Sequence, residues 1–205
     1  MLKLYYTPGT ISIATAIALH EAELPFEAVK VDFATAEQTG ADYLGINPKG
    51  RVPALVTEQG VLTETGALLE YVAARAPAAG LIPQDAFLAA KMREVMFYLA
   101  STMHVNHAHR LRGSRWATRQ ESFDDMAAKV PDTMTASADY IEQHGLAGPY
   151  VLGEAFSIAD PYLFVVCSWL NGDGVDVLRY DRITAFMQAM NARSSVQDAR
   201  AKGMI

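Results

Sequence analysis

The hydrophobic period of this chain changes once, and that change limits what it can fold into. Up to residue 77 short β-type runs interleave with helical patterns; beyond residue 85 every patterned segment has helical spacing. "LKLYYT" (2–7) is a short strand pattern, followed by Pro8-Gly9. Ile13, Ala16, Ile17 and His20 then recur at helical intervals until Pro25. "FEAVKVDF" (26–33) alternates as a second strand, and a polar stretch fills 34–45. "NPKGRVPALV" (47–56) predicts a third strand approached through a turn, and "GVLT" (60–63) its hairpin partner. "ETGALLEYVAARAP" (64–77) reads as a helix. Strand-helix-strand and then hairpin-helix make a mixed α/β unit.

The remainder is all-helical in pattern. "PAAGLIPQD" (77–85), with two prolines and a glycine, reads as a linker. The predicted organisation is an α/β domain over 1–78, a linker over 79–86 and an all-α domain over 87–205. Asp85 is placed to cap a helix whose Leu88, Met92, Val95, Met96, Leu99 and Met103 repeat at 3/4 spacing. A second helix covers 120–144 and stops at Gly145. A third begins at "FSIADPYLFVVCSWL", where Ser157 and Asp160 stand at capping-box spacing. "DRITAFMQAMNAR" (181–193) is a last amphipathic helix.

Composition removes several function classes. With 205 residues, 51% of them hydrophobic, the chain can bury a substantial core. Its net charge is -6, and its basic residues are scattered apart from Arg110, Arg112 and Arg115, so no nucleic-acid partner is expected. Thr, His and Glu interrupt the N-terminal apolar run, which predicts neither a membrane span nor a signal segment. The lone cysteine, Cys167, forbids an intramolecular disulfide, a Cys-x-x-Cys centre and a zinc site of several thiolates. That usage fits a reducing cytosol.

Four places can carry chemistry. The strand–turn–helix corner in "LYYTPGTISIA" presents Thr10, Ile11 and Ser12 at a helix start, with no sulfur. Val52-Pro53 precedes a strand that proline cannot enter. In the trans form it is an ordinary turn. In the cis form, which costs only ~0.5–1 kcal/mol, the Val52 N–H and C=O turn outward and can pair with a peptide as an added strand does. In "TETG" (63–66) Glu64 and Thr65 either cap a helix or hold a ligand, its carboxylate at the helix N-terminus and its ammonium on Glu64. His104, His107 and His109 crowd one helix end; His104 and His107 share a face, but no third ligand is near in sequence and no metal is expected. Cys167 reads as core, and Trp169 either lines a cleft or packs.

"KLYYTPGTIS", "NPKGRVPAL", "LTETGALLEYVA" and "FSIADPYLF", in this order across essentially the whole chain, resemble the cytosolic glutathione transferases, above all the bacterial beta class. The resemblance implies a thioredoxin-like N-terminal domain, an all-helical C-terminal domain, a homodimer, and glutathione as co-substrate. It implies that Pro53 is the cis-proline, that the Val52 backbone pairs with the cysteinyl amide of glutathione, and that Glu64 and Thr65 bind the γ-glutamyl head. His104 falls where the beta class carries a glutathione-contacting histidine, and Ile11, His107 and Trp169 are assigned to a hydrophobic acceptor site. Two departures stand out. Ile11 replaces the usual beta-class cysteine, so a mixed disulfide with glutathione cannot form. "ATAEQTGAD" lacks the lysine that holds the glycyl carboxylate, leaving Lys49 or Arg51 to substitute.

Glutathione brings its own sulfur. Ionising a thiol of pKa ~8.5 at neutral pH needs a shift of about 2 units, or ~2.7 kcal/mol. A helix N-terminus supplies ~0.3–2 kcal/mol and one hydrogen bond to the charge ~1.5–3 kcal/mol. The candidate donors are the hydroxyls of Ser12, Thr10 and Tyr6, in that order, and the backbone N–H groups at 11–12; Tyr5 and Tyr6 face opposite sides of a strand, so at most one reaches the site. The expected activity is transfer of the glutathione thiolate to a small hydrophobic electrophile. The alternatives are a glutathione-dependent peroxidase or lyase, or a non-catalytic scaffold.

Overall fold

The computed structural model describes every residue from Met1 to Ile205. Two compact units emerge: Met1–Gln84 together with Met190–Ile205, and Asp85–Ala189.

In the first unit β1 (Leu2–Tyr6) lies inside a four-stranded sheet of order β2-β1-β3-β4. It pairs in parallel with β2 (Phe26–Lys30), a geometry that requires a crossover, and α1 (Ser12–Glu21) supplies it. β3 (Ala54–Thr57) runs antiparallel to β1, and β4 (Gly60–Thr63) antiparallel to β3. Leu4 and Leu55 sit opposite each other and are fully buried. Every α1 residue from Ser12 to Leu19 is buried, because the helix packs against both α3 (Thr65–Arg75) and a helix from the far end of the chain. Ala14, Ala16 and Ala18 keep it slim enough for neighbours on two sides. The polar stretch 34–45 holds a short helix, α2 (Ala41–Leu44), whose Tyr43 is buried edge-on against Tyr5 at 5.8 Å.

The second unit starts at Asp85, whose Oδ1 accepts the Leu88 N–H at 2.8 Å and opens α4 (Ala86–Tyr98). The helix passes through one π turn (Leu99–Met103) into α5 (His104–Ala108). Met92, Val95, Met96, Leu99 and Met103 of the anticipated stripe are buried, whereas Leu88 at its start is exposed. α6 (Gln120–Tyr140) also closes in a π turn, Ile141–Gly145. α7 (Ala159–Ser168) is buried from Ala159 to Cys167. Its start is organised by Asp160, 0% exposed, which accepts the Ser157 N–H at 2.6 Å, the Ser157 hydroxyl at 3.0 Å and the Val151 N–H at 2.8 Å. Burial pushes the Cys167 thiol up to about 12, so it is an inert part of this core.

α8 (Asp181–Asn191) carries the chain back towards the first unit, and α9 (Ser194–Ala201) follows it. Met190–Ile205 group with the α/β sheet rather than with the other helices. The cause is a polar clasp. Arg193 Nε and Nη2 donate to Glu21 Oε1 and Oε2 at 2.7 Å each, and Ser195 Oγ donates to Oε1 at 2.5 Å. Val196 and Ala199 add apolar burial, and the Gly9 N–H donates to the Met204 carbonyl at 2.9 Å. Burial alone would raise the Glu21 carboxyl, but the Arg193 and Ser195 hydrogen bonds and the Arg193 charge outweigh it and hold the group below its ordinary value.

Candidate functional site

Sheet register gathers the chemistry of the first unit at one end of the strands. Tyr5 lies beside Ala54, and Ala54 beside Thr63. The segments just beyond these residues therefore leave the sheet together: the corner Thr7–Ser12 after β1, Val52-Pro53 before β3, and Glu64-Thr65 after β4.

The corner is held by its own hydroxyls. Gly9, at φ +70°, takes the left-handed turn that a side chain would disfavour. The Thr7 N–H donates to Ser12 Oγ at 3.2 Å, Thr10 Oγ1 donates to the Thr7 carbonyl at 2.8 Å, and the Thr10 and Ser12 hydroxyl oxygens are 2.7 Å apart. Ser12, ranked first as a hydroxyl donor from sequence, is 0% exposed inside this network, with its second contact on the Thr7 carbonyl at 3.3 Å. Thr10 is half-buried and sits at the network's outer end. At the start of α1 the Ile13 and Ala14 amides fold back onto the Thr10 and Ile11 carbonyls. The Ile11 and Ser12 amides have no acceptor, and Ile11 buries its side chain. Tyr6 is buried on the Leu2 and Leu4 side of β1.

The Val52-Pro53 peptide bond is cis. The Arg51 carbonyl accepts from Tyr43 Oη at 2.7 Å and Asn47 Nδ2 at 2.5 Å, which ties the loop down, while the Val52 N–H and C=O take no backbone partner. Glu64 corrects the capping alternative. It occupies the position before α3 but makes no side-chain cap, and its φ of +76° is a strained backbone for a non-glycine residue. Its carboxylate instead accepts from Lys49 Nζ at 2.5 Å, and Lys49 also donates to Thr63 Oγ1 at 2.7 Å. Thr65 is buried at the first position of α3, and the Arg51 side chain is exposed.

In the second unit the histidines meet partners that spacing does not reveal. The His107 ring stacks on Trp169 with centroids 4.1 Å apart and planes at 20°, and His104 tilts onto the same indole at 5.1 Å. His107 Nδ1 lies 2.7 Å from Asp173 Oδ2, and Arg110 Nη1 donates to Asp173 Oδ1 at 3.3 Å. Asp173 is 66 residues from His107 and carries no motif; only the turn after α7 delivers it. No group of three or more metal-ligating side chains is assembled anywhere in the chain, and no helix is long and apolar enough to cross a membrane.

The family model for the glutathione S-transferase N-terminal domain matches residues 1–74, and that for the glutathione S-transferase C-terminal domain matches residues 120–189. The chain belongs to the glutathione S-transferase family. The glutathione S-transferase GstA of Escherichia coli O157:H7 is 32% identical to it over 201 residues, covering 97% of this chain and 96% of the relative. A crystal structure of a glutathione transferase homologue from Sulfitobacter, with bound glutathione, shares 66% identity with a TM-score of 0.99, covering 100% of this chain and 99% of that one. A bacterial beta class glutathione S-transferase from Sphingomonas chungbukensis shares 33% identity with a TM-score of 0.84, over 99% of this chain and all of the other. This glutathione S-transferase thus has the thioredoxin-like sheet followed by helices that its motifs imply, with isoleucine rather than cysteine at residue 11.

Proposed function

We propose that this family member binds glutathione at the end of the sheet formed by Thr7–Ser12, Val52-Pro53 and Glu64-Thr65, and delivers its thiolate to a small hydrophobic electrophile. The register that gathers those segments carries the reading, and the glutathione held by the Sulfitobacter homologue supports it. The Val52 N–H and C=O pair with the cysteinyl amide as an added strand would. The ligand ammonium takes the place of Lys49 Nζ on Glu64, and its neighbouring carboxylate meets the Thr65 end of α3. Lys49, released, or Arg51 answers the glycyl carboxylate; His104 is a further contact, and Ile11, His107 and Trp169 serve the acceptor.

The sulfur is ionised by the Ile11 and Ser12 amides and the Thr10 hydroxyl. Ser12 keeps its structural bond to the Thr7 amide and can turn its proton to the Thr7 carbonyl, which frees the Thr10 proton for the thiolate. Amides cannot be deleted by side-chain change, so they leave a signature. The pKa of bound glutathione, read from thiolate absorbance, rises by about 1 unit in Thr10→Val and by less in Ser12→Ala. A larger rise in Ser12→Ala than in Thr10→Val overturns this assignment. Loss of calorimetric binding heat with glutathione in the wild-type protein overturns the reading as a whole. We further propose a cytosolic homodimer: α4 leaves Phe87 and Phe97 71% exposed, apolar surface that a second copy would cover. Light scattering at the monomer mass contradicts this.

A further inference from the structure

Lys49 already holds the carboxylate that the glutathione reading gives to the ligand's ammonium. It belongs to the turn before β3, yet its Nζ crosses to the end of β4 and donates to Thr63 Oγ1 at 2.7 Å and to Glu64 Oε1 at 2.5 Å. All three residues lie in the first unit. An ammonium group has three N–H donors and no acceptor, so the lysine makes with Glu64 the contact that an amino-acid head would make.

The lysine is aimed from a fixed base. Its own N–H donates to Asn47 Oδ1 at 3.2 Å, and the Gly50 N–H donates to the Asn47 carbonyl at 2.9 Å. Asn47 is 1% exposed, and its Nδ2 holds the Arg51 carbonyl. Gly50, at φ +60°, takes a left-handed step, and a β-carbon there would meet the Gln38 carbonyl at 3.1 Å. The far end of the side chain is open to solvent: Lys49 is 42% exposed and Glu64 70%. An ion pair this exposed is weak, and a second ammonium can replace it.

Resting on the glutathione reading, we infer that Lys49 is an internal competitor for the ammonium subsite and sets how strictly that subsite demands a free α-amino group. A γ-glutamyl head displaces the lysine and recovers only the difference between two similar ion pairs. A head without the amino group leaves Lys49 on Glu64, and its carboxylate meets the start of α3 beside a neutralised side chain. Lys49 thus narrows the gap between the two kinds of ligand. Without it, Glu64 is a bare carboxylate that rewards an ammonium and repels a head that has only a carboxylate.

The test is calorimetry with glutathione and its deamino analogue, glutaryl-cysteinylglycine. The two share their cysteinyl and glycyl parts, so any service of Lys49 to the glycyl carboxylate cancels in the ratio of their Kd values. The wild-type protein binds them within about tenfold of each other. Lys49→Met widens the ratio by about a further fivefold. Lys49→Arg keeps a cation for Glu64 and stays near the wild-type ratio. A ratio unchanged or narrowed in Lys49→Met, an equal widening in Lys49→Arg, or a wild-type ratio above about tenfold overturns the inference and leaves glutathione binding standing. Absence of binding heat with glutathione in the wild-type protein overturns the underlying reading, and the inference falls with it.

Discussion

At the scale of the residue, position 11 separates this protein from a thiol enzyme. Ile11 stands at the start of α1, where unpartnered amides favour an anion. Its side chain is buried, and in the proposed reading it contributes a dry wall and an N–H. A sulfur placed there meets the same amides. Ile11→Cys should therefore acquire a low-pKa thiol and, with glutathione disulfide, a mixed disulfide that intact-protein mass spectrometry detects. Cys167, buried and with its thiol pushed up to about 12, remains unmodified in both proteins and acts as the built-in control. A mass unchanged by glutathione disulfide in the variant contradicts the anion-stabilising role of the corner. Much of this corner was legible in "YYTPGTIS", because a Pro-Gly turn between strand and helix patterns has few other meanings. The hydrogen bonds among the hydroxyls were not. Ser12 is taken by the Thr7 amide, and only coordinates reveal which hydroxyl is already engaged.

At the scale of the element, the sequence marked α7 through Ser157 and Asp160 three residues apart, and the two side chains do bond each other. Asp160 also accepts two buried backbone N–H groups, from Ser157 and Val151. Asp160→Ala strands those donors at about 1–3 kcal/mol each. The variant should lose about 2–5 kcal/mol of unfolding free energy, measured by urea titration with an unchanged slope. A loss below about 1 kcal/mol means that water or a shifted backbone replaces the carboxylate. Two elements escaped the sequence for identifiable reasons. α2 is four residues long, too short to display a period, and is placed by Tyr43 rather than by pattern. α9 is polar along most of "SSVQDARA", and its attachment depends on Arg193 and Ser195 reaching a carboxylate over 170 residues away. Hydrophobic periodicity has no access to such a pairing.

At the scale of the whole molecule, the Glu21 clasp decides which unit owns the end of the chain. Its folded-state carboxyl is depressed, so its contribution is complete above the ordinary glutamate value near ~4.3 and is lost as pH falls through the lower folded value. Glu21→Gln should cost about 1–3 kcal/mol at neutral pH. The gap between the two proteins should narrow on acidification below pH ~4.3, as seen in chemical unfolding at several pH values. A gap constant with pH assigns the effect to packing alone.

The Gly9 N–H to Met204 carbonyl bond has a temporal consequence. Residues that brace the first turn are translated after the entire second unit, so a nascent chain on the ribosome holds an unfinished corner however well its sheet has formed. In the proposed reading, competence to ionise a bound thiol therefore waits for the segment that follows the second unit, when residue 204 swings back to close what the opening segment began.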